Sequence, residues 1–413
     1  MVTNEDVENI IKNSYDIACD VLNDNINEIS SYDFSENFKN NVTQIMSKNL
    51  ATIYPDTNLD DVIDYCVLNT LSIIYNTFIP KRSHYGTYTS GMPNVSHIAE
   101  KIEILRNVYQ PDQRTDEWYR FRYNLITASN AWKIFDTPAA LNQLIFEKCK
   151  PLDTSKYQTV NINSAMHWGQ KYEPLSVMYY ESKYKTIVED FGCIPHPRIK
   201  CLGASPDGIN VDETSERYGR MLEIKNPVSR KLTGIPKKDY WIQMQLQMAT
   251  CNLPSCDFLE TVFQEYETKE EFDSDGSFTN TDDGKMKGII MCFMKDTKPH
   301  YEYLPLGSSN QEFEAWEAKI MDQNSANTWI RNSYWKLAEV SCVLVEKNDL
   351  WINYAYKLID DVWKIIEKER KEGYEHRAPK KRRTTKVSPV LESTGCLIDV
   401  KKLDLDQETA FTE

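Results

Sequence analysis

The stretch "GASPDGINVDETSERYGRMLEIKNP" at residues 203–227 is the strongest constraint on how this chain can fold. Its Pro-Asp-Gly turn breaks one run, "RMLEIK" has the character of a strand, and the sequence between them reads as a hairpin. In a strand, residues i and i+2 share a face, so Glu223 and Lys225 project together while Ile224 points into the core. A hairpin over 209–220 brings Asp207 back beside Glu223. Two carboxylates converging at a strand end make a hard-oxygen site suited to Mg²⁺ or Mn²⁺. A lysine beside them holds a water or offsets charge on a phosphate. Taken alone, the residues leave two readings open, because ion pairs on solvated hairpins are common.

Composition narrows the classes. With 413 residues, 41% hydrophobic and 11% aromatic, the chain has room for two domains, or for one large domain with extensions, and for a packed core. The net charge of −14 excludes a uniformly basic surface. A nucleic-acid partner therefore requires positive charge gathered locally. None of the cysteines forms a C-x-x-C pair, which gives no support to a zinc ribbon or an iron–sulfur cluster. The acidic N-terminus lacks an apolar leader core, and no apolar run approaches the roughly 18 residues a membrane span needs. The expectation is a soluble intracellular protein with reduced thiols.

Along the chain, residues 1–105 read as a helical extension. "VENIIKNSYDIACDVLNDNI" and "LDDVIDYCVLNTLSIIYNTF" both place apolar residues at three- and four-residue spacing. The Pro-, Gly- and Ser-rich segment 79–95 reads as a linker. Residues 106–372 mix helices and strands, which predicts an α+β (α/β) domain with a central mixed β-sheet flanked by helices. Within it, Thr127 or Ser129 is placed to cap a helix after "LITAS". Residues 167–184 form a helix opened by Gly169, and Asp239–Cys251 another. The acidic stretch 267–286 is expected as a long hairpin loop between two strands, and one strand plus a long helix follow from Glu339. Residues 373–413 read as a basic, then acidic, disordered tail.

Five blocks in order resemble the PD-(D/E)XK nuclease superfamily: "EWYRFRYNLITAS", "AMHWGQKYEP", "SPDG", "EIKNP" and "YWIQMQLQMA". The similarity is to the branch holding phage lambda exonuclease and the YqaJ-type viral recombinases, and it covers residues 114 to about 250. It implies a restriction-endonuclease-like core. Asp207 and Glu223 would be metal-binding carboxylates, joined by the Ile224 carbonyl and by Glu173. Lys225 would position the attacking water, and Gln243 would complete the catalytic set. Arg122, Ser129 and Ser205 would form a 5′-phosphate pocket, with Tyr240 and Gln247 also on the DNA side, while Trp118 packs. The implied cofactor is Mg²⁺ or Mn²⁺. The implied activity is hydrolysis of DNA phosphodiesters, as a 5′→3′ exonuclease on double-stranded ends that serves viral or phage recombination or repair. A single-strand annealing protein is the implied partner and a homo-oligomer is compatible. No ring trimer is carried over, because the chain is longer than a minimal phage exonuclease.

Each residue also has a plainer reading. Glu173 fits a solvated helix face, Arg122 a surface ion pair with Asp116 or Glu117, and Ser205 a turn former. On a helix, Gln243, Gln245 and Gln247 fall on different faces, so one or two of them reach the site. Arg198, Lys200, Arg220, Arg230, Lys231, Lys237 and Lys238 supply local positive charge for a DNA backbone. "PKKRR" at 379–383 resembles a nuclear localisation signal, so the host nucleus stands beside the host cytoplasm as the expected location. A nicking or structure-specific endonuclease, and an inactive DNA-binding scaffold, are the alternative functions.

Overall fold

In the computed structural model, which describes residues 3–55, 57–85, 94–111, 113, 115–154 and 161–379, the chain opens with helices. These are α1 (Asn4–Asp24), α2 (Phe34–Ile53), α3 (Asp60–Thr77) and α4 (Val95–Asn107). Thr3 and Asp6 start α1 with a reciprocal capping box. The apolar stripes turn inward as their spacing requires: Phe38, Val42 and Met46 on α2, and Ile63, Val67 and Ile74 on α3.

The expected linker at 79–95 is, in its described part, a packed strap. Ile79 and Arg82 are buried, and His84 forms an antiparallel bridge with Leu344. Residues 86–93 lie outside the described residues. The Arg82 guanidinium donates to the carbonyls of Ser30 at 2.9 Å, Ser31 at 3.0 Å and Pro236 at 2.6 Å. It also lies 5.3 Å from the centre of the Trp241 ring. A buried guanidinium needs several acceptors, and here backbone from both halves of the chain supplies them.

The remaining elements are α5 (Asp116–Tyr123), β1 (Ile126–Thr127), α6 (Ala128–Ala131), α7 (Pro138–Cys149), α8 (Ala165–Tyr184), β2 (Val188–Glu189), β3 (Ile194–Pro195), β4 (Leu202–Ala204), β5 (Gly208–Asn210) and β6 (Met221–Lys225). After them come α9 (Lys238–Cys251), β7 (Ser255–Glu265), α10 (Lys269–Ser274), β8 (Lys287–Lys295), β9 (Lys298–Tyr303), α11 (Asn310–Gln323), β10 (Thr328–Glu346) and α12 (Asp349–Glu372). The main sheet runs β2-β5-β6-β7-β10-β8-β9, and β1-β4-β3 form a smaller one. β5 and β6 pair antiparallel, as a hairpin must, whereas β6 and β7 pair parallel because α9 carries the chain back across the sheet. The result is an α+β core: a mixed sheet flanked by helices.

Three local expectations need correction. Helix α8 begins at Ala165, capped by Ser164, so Gly169 lies inside it. The stretch 267–286 does not close a hairpin, because β10 lies between β7 and β8. It contains α10 and folds around Lys287, whose ammonium donates to the carbonyls of Phe272 and Asp275. β10 starts at Thr328, well before Glu339, and pairs with β8 through its first half and with β7 through its second.

One hydrophobic cluster runs from Ile10, Phe38 and Ile74 to Trp241, Trp351 and Ile366. The described residues up to Arg377 accordingly form one compact unit in which the N-terminal helices share the core of the sheet. All of the basic run at 379–383 except Pro379 lies outside the described residues. Among the described residues, no helix is long and apolar enough to cross a membrane. Because Arg82 joins the two halves, Arg82→Met should cost about 2–4 kcal/mol of stability. Urea unfolding followed by far-ultraviolet circular dichroism measures it; a loss below about 0.5 kcal/mol would show that the strap is incidental.

Candidate active site

The site is built at the open end of the β5–β6 hairpin. Asp207 precedes β5; its backbone N–H donates to the Leu222 carbonyl at 3.1 Å, and its Oδ2 accepts from the Ile224 N–H at 2.6 Å. The carboxylate thus takes the place of a strand carbonyl and is held against β6. Glu223 has no exposed surface. A buried carboxylate must be paired and hydrogen-bonded, and three side chains do this. Lys225, on the same strand face, forms an ion pair with Glu223 Oε1. Gln243 donates to Oε1 at 2.8 Å, and Gln247 to Oε2 at 2.7 Å.

Helix geometry selects the glutamines. Gln243 and Gln247 lie four residues apart on one face of α9 and each grips one oxygen of Glu223. Gln245 points the other way, donating to the Glu346 carbonyl at 2.9 Å and accepting from the Asn348 N–H at 2.7 Å. Gln247, expected on the DNA side, is fully buried, and its amide also donates to the Ser205 carbonyl at 3.2 Å. It has no surface to offer DNA; it holds the Glu223 carboxylate and the Ser205 backbone together.

A cleft of about 400 Å³ opens over this cluster, lined among others by Gln170, Glu173, Asp207, Lys225, Arg230 and Tyr240. Gly169 also lines it, and a β-carbon there would meet no protein atom within 4 Å. Burial first, and then the charges of Glu223 and Glu173, push the Asp207 carboxyl well above its usual range, against the pull of Lys225. Burial works against the Lys225 ammonium, but Glu223 and Asp207 outweigh it and raise its pKa. Among the described residues no three His, Cys, Asp or Glu side chains form a ready metal cage. Two converging carboxylates beside a backbone carbonyl nevertheless fit Mg²⁺, which keeps several waters and takes one or two carboxylates with substrate phosphate.

A second group lies next along the chain. Arg122, in the last turn of α5, reaches Ser205 Oγ at 3.3 Å and Ser129 Oγ at 3.5 Å. Its guanidinium sits 4.4 Å from the centre of the Trp118 ring, so Trp118 packs and also supports the cation. Thr127 caps α6 in a capping box with Asn130 and lies 3.2 Å from Ser129 Oγ. No local spacing marks Lys148, a buried lysine on α7 that donates to the Arg122 carbonyl at 2.7 Å. Burial, then Arg122 and Arg370, push its pKa down to about 7.

Among the basic side chains expected near DNA, Arg220 is misassigned: it is buried and paired with Asp257 at 3.3 Å. Lys238 donates to the Phe135 carbonyl. Arg198, Lys200, Lys231 and Lys237 are exposed. Arg230 enters the cleft, ion-paired with Glu260 and 5.6 Å from the centre of the Tyr240 ring. The same ring lies 5.1 Å from the Lys225 ammonium. Glu260 is buried opposite Lys225 in the β6–β7 register and was not foreseen, because only strand pairing places it there.

The Asp207 pKa makes a stability claim. An acid whose folded pKa is raised favours the native state at pH below its unfolded pKa and loses that contribution as pH rises through the folded value. Asp207→Asn should therefore raise the Tm at pH 8 in EDTA by about 1–3 °C, and the gain should vanish near pH 4. Calorimetry at both pH values checks this, and a lower Tm at pH 8 would contradict it.

Residues 117–254 match the YqaJ-like viral recombinase domain. An uncharacterized protein of Acanthamoeba polyphaga mimivirus is 27% identical over 327 residues, which span 69% of this chain and 58% of that relative's length. An alkaline exonuclease from Laribacter hongkongensis, solved alone and in complex with dAMP, is 22% identical with a TM-score of 0.37; the alignment covers 62% of this chain and 95% of that one. Arg122, Asp207, Glu223, Lys225 and Gln243 all fall within the residues that match the YqaJ-like viral recombinase domain.

Proposed function

We propose that the chain is a divalent-cation-dependent deoxyribonuclease, acting as a 5′→3′ exonuclease on double-stranded DNA ends in viral recombination. The observation that carries this reading is the loop 205–207. It presents Ser205 to Arg122 and, two residues on, Asp207 to Glu223 and Lys225. The residues read as a terminal-phosphate clamp and those read as a hydrolytic centre share one short segment, which supports an end-directed enzyme.

Asp207, Glu223, the Ile224 carbonyl and Glu173 would hold Mg²⁺ or Mn²⁺, which when bound generates a nucleophilic water and offsets charge on the phosphate. The protein's own groups do the rest. Lys225, kept cationic by its two acid neighbours, holds the water's oxygen and balances the charge that builds on the phosphoryl group. Gln243 and Gln247 keep Glu223 in one rotamer, so that little reorganisation accompanies the reaction. Arg122 with Ser129 and Ser205 grips a 5′-phosphate with the fork geometry that suits phosphate oxygens. Arg230 and Tyr240 flank the cleft where the DNA backbone would lie. A single-strand annealing protein is the natural recipient of the 3′ overhang that this degradation leaves.

The test compares 5′-phosphorylated linear duplex with covalently closed circular DNA, each with Mg²⁺ and with EDTA. Loss of the linear substrate alone, and only with Mg²⁺, is expected. Cutting of the circle would point to an endonuclease on the same core; binding without hydrolysis would point to a scaffold. Lys225→Ala and Glu223→Ala should each lower the rate on linear duplex by on the order of 10²–10⁴-fold while keeping the circular dichroism spectrum. Full activity in either variant would remove these residues from the chemistry.

A further inference from the structure

We infer that Gln247 is a positioning residue that couples occupation of the 5′-phosphate clamp to the orientation of Glu223, making hydrolysis, and not only binding, depend on a terminal phosphate. This rests on the nuclease reading of the site.

The coupling follows from the hydrogen-bond capacity of one side chain. A primary amide has two N–H donors and one carbonyl acceptor. Both acceptors within reach of Gln247 Nε2 are occupied: Glu223 Oε2 at 2.7 Å and the Ser205 carbonyl at 3.2 Å. Gln247 Oε1 is buried without a hydrogen-bond partner. Flipping the amide would turn that oxygen toward a carboxylate and a carbonyl, which repel it, so one orientation is enforced. The side chain therefore acts as a rigid two-ended link with no third interaction to relax into.

The two ends belong to different tasks. Ser205 bears the hydroxyl that Arg122 Nη1 reaches at 3.3 Å. Glu223 is the buried carboxylate paired with Lys225. Asp207, in the same loop as Ser205, is fixed to β6 by its own bond from the Ile224 N–H. Any shift of the Ser205 backbone relative to α9 therefore alters the Gln247 bonds. A phosphate drawn between Arg122, Ser129 and Ser205 pulls on the Ser205 end, and the amide transmits that displacement to Glu223 Oε2. Gln243, which holds Oε1 at 2.8 Å and has no bond to the clamp loop among those described, supports Glu223 without this coupling.

The consequence is a division of effects that plain structural support would not give. On wild-type protein, a 5′-phosphate should raise kcat relative to a 5′-hydroxyl end, with KM responding separately through Arg122. Gln247→Met nearly conserves volume and removes the donors. It should lower kcat on phosphorylated ends by on the order of 10–100-fold, the usual effect of losing a partner that orients a ligating group. On hydroxyl ends it should fall far less, so the phosphate advantage in kcat collapses toward one. The Kd of a 5′-phosphorylated hairpin oligonucleotide, read by fluorescence anisotropy in EDTA, should stay within about twofold, because the clamp itself is intact. Should Gln247→Met fail to fold, Gln247→Asn, which keeps the amide but is too short to span both acceptors, carries the same measurement. An equal fall in kcat on both ends, or a weaker Kd with kcat preserved, overturns the coupling. So does a wild-type enzyme with no phosphate advantage in kcat. Absence of hydrolysis by the wild type on any DNA end would overturn the nuclease reading instead.

Discussion

A carboxylate with no exposed surface, set in the middle of a sheet, imposes most of what surrounds it. Glu223 lies on β6 between β5 and β7, and an unpaired charge there would cost several kcal/mol. Its partners have to arrive from one side: Lys225 two residues along the strand, Gln243 and Gln247 one turn apart on α9. That requirement fixes α9 across the strand end and makes β7 return parallel to β6. The helix is itself held from behind. Trp241 packs edge-on against Trp351 of α12, 5.0 Å between ring centres, and Arg82 joins Pro236, just before the helix, to Ser30 and Ser31 in the N-terminal region. The helical region that lacks any catalytic motif thus acts on the site through packing.

Charge is distributed to match. The chain is strongly acidic overall, yet Arg230 stands on one side of the acid pair and Arg122 with Lys148 on the other. Burial, and then the Glu223 charge across the hairpin, raise the Asp207 pKa, and Lys225 offsets this only in part. A cation would complete the balance, and a phosphodiester drawn toward Arg122 and Arg230 would meet it between them. An acidic protein can attract DNA in this way because field is set locally, within about 8–10 Å at physiological salt.

The candidate site was legible as a cluster because its determinants are local. A Pro-Asp-Gly turn and a two-residue period brought Asp207, Glu223 and Lys225 together, and helical spacing separated Gln245 from its neighbours. Thr127 is a cap, as its place before the helix suggested. What escaped was set by long-range pairing. β10 inserts between β7 and β8, so the acidic stretch 267–286 closes no hairpin. Arg82 looked like part of a polar linker because its acceptors lie 51, 52 and 154 residues away. Arg220 resembled a DNA-facing cation until Asp257, also bound by Arg217, was placed beside it. Gln247 was assigned to DNA by its helix face alone; the depth of that face depends on β4 and β6 packing against it.

The central claim is that Asp207 and Glu223, on either side of one hairpin, share a single divalent cation. Electron paramagnetic resonance of Mn²⁺ titrated into the full chain tests it without reference to activity. One Mn²⁺ bound per chain at the site is expected, with binding weakened on the order of 10–100-fold or more in Asp207→Asn and in Glu223→Gln. Mn²⁺ binding unchanged in both variants would contradict it.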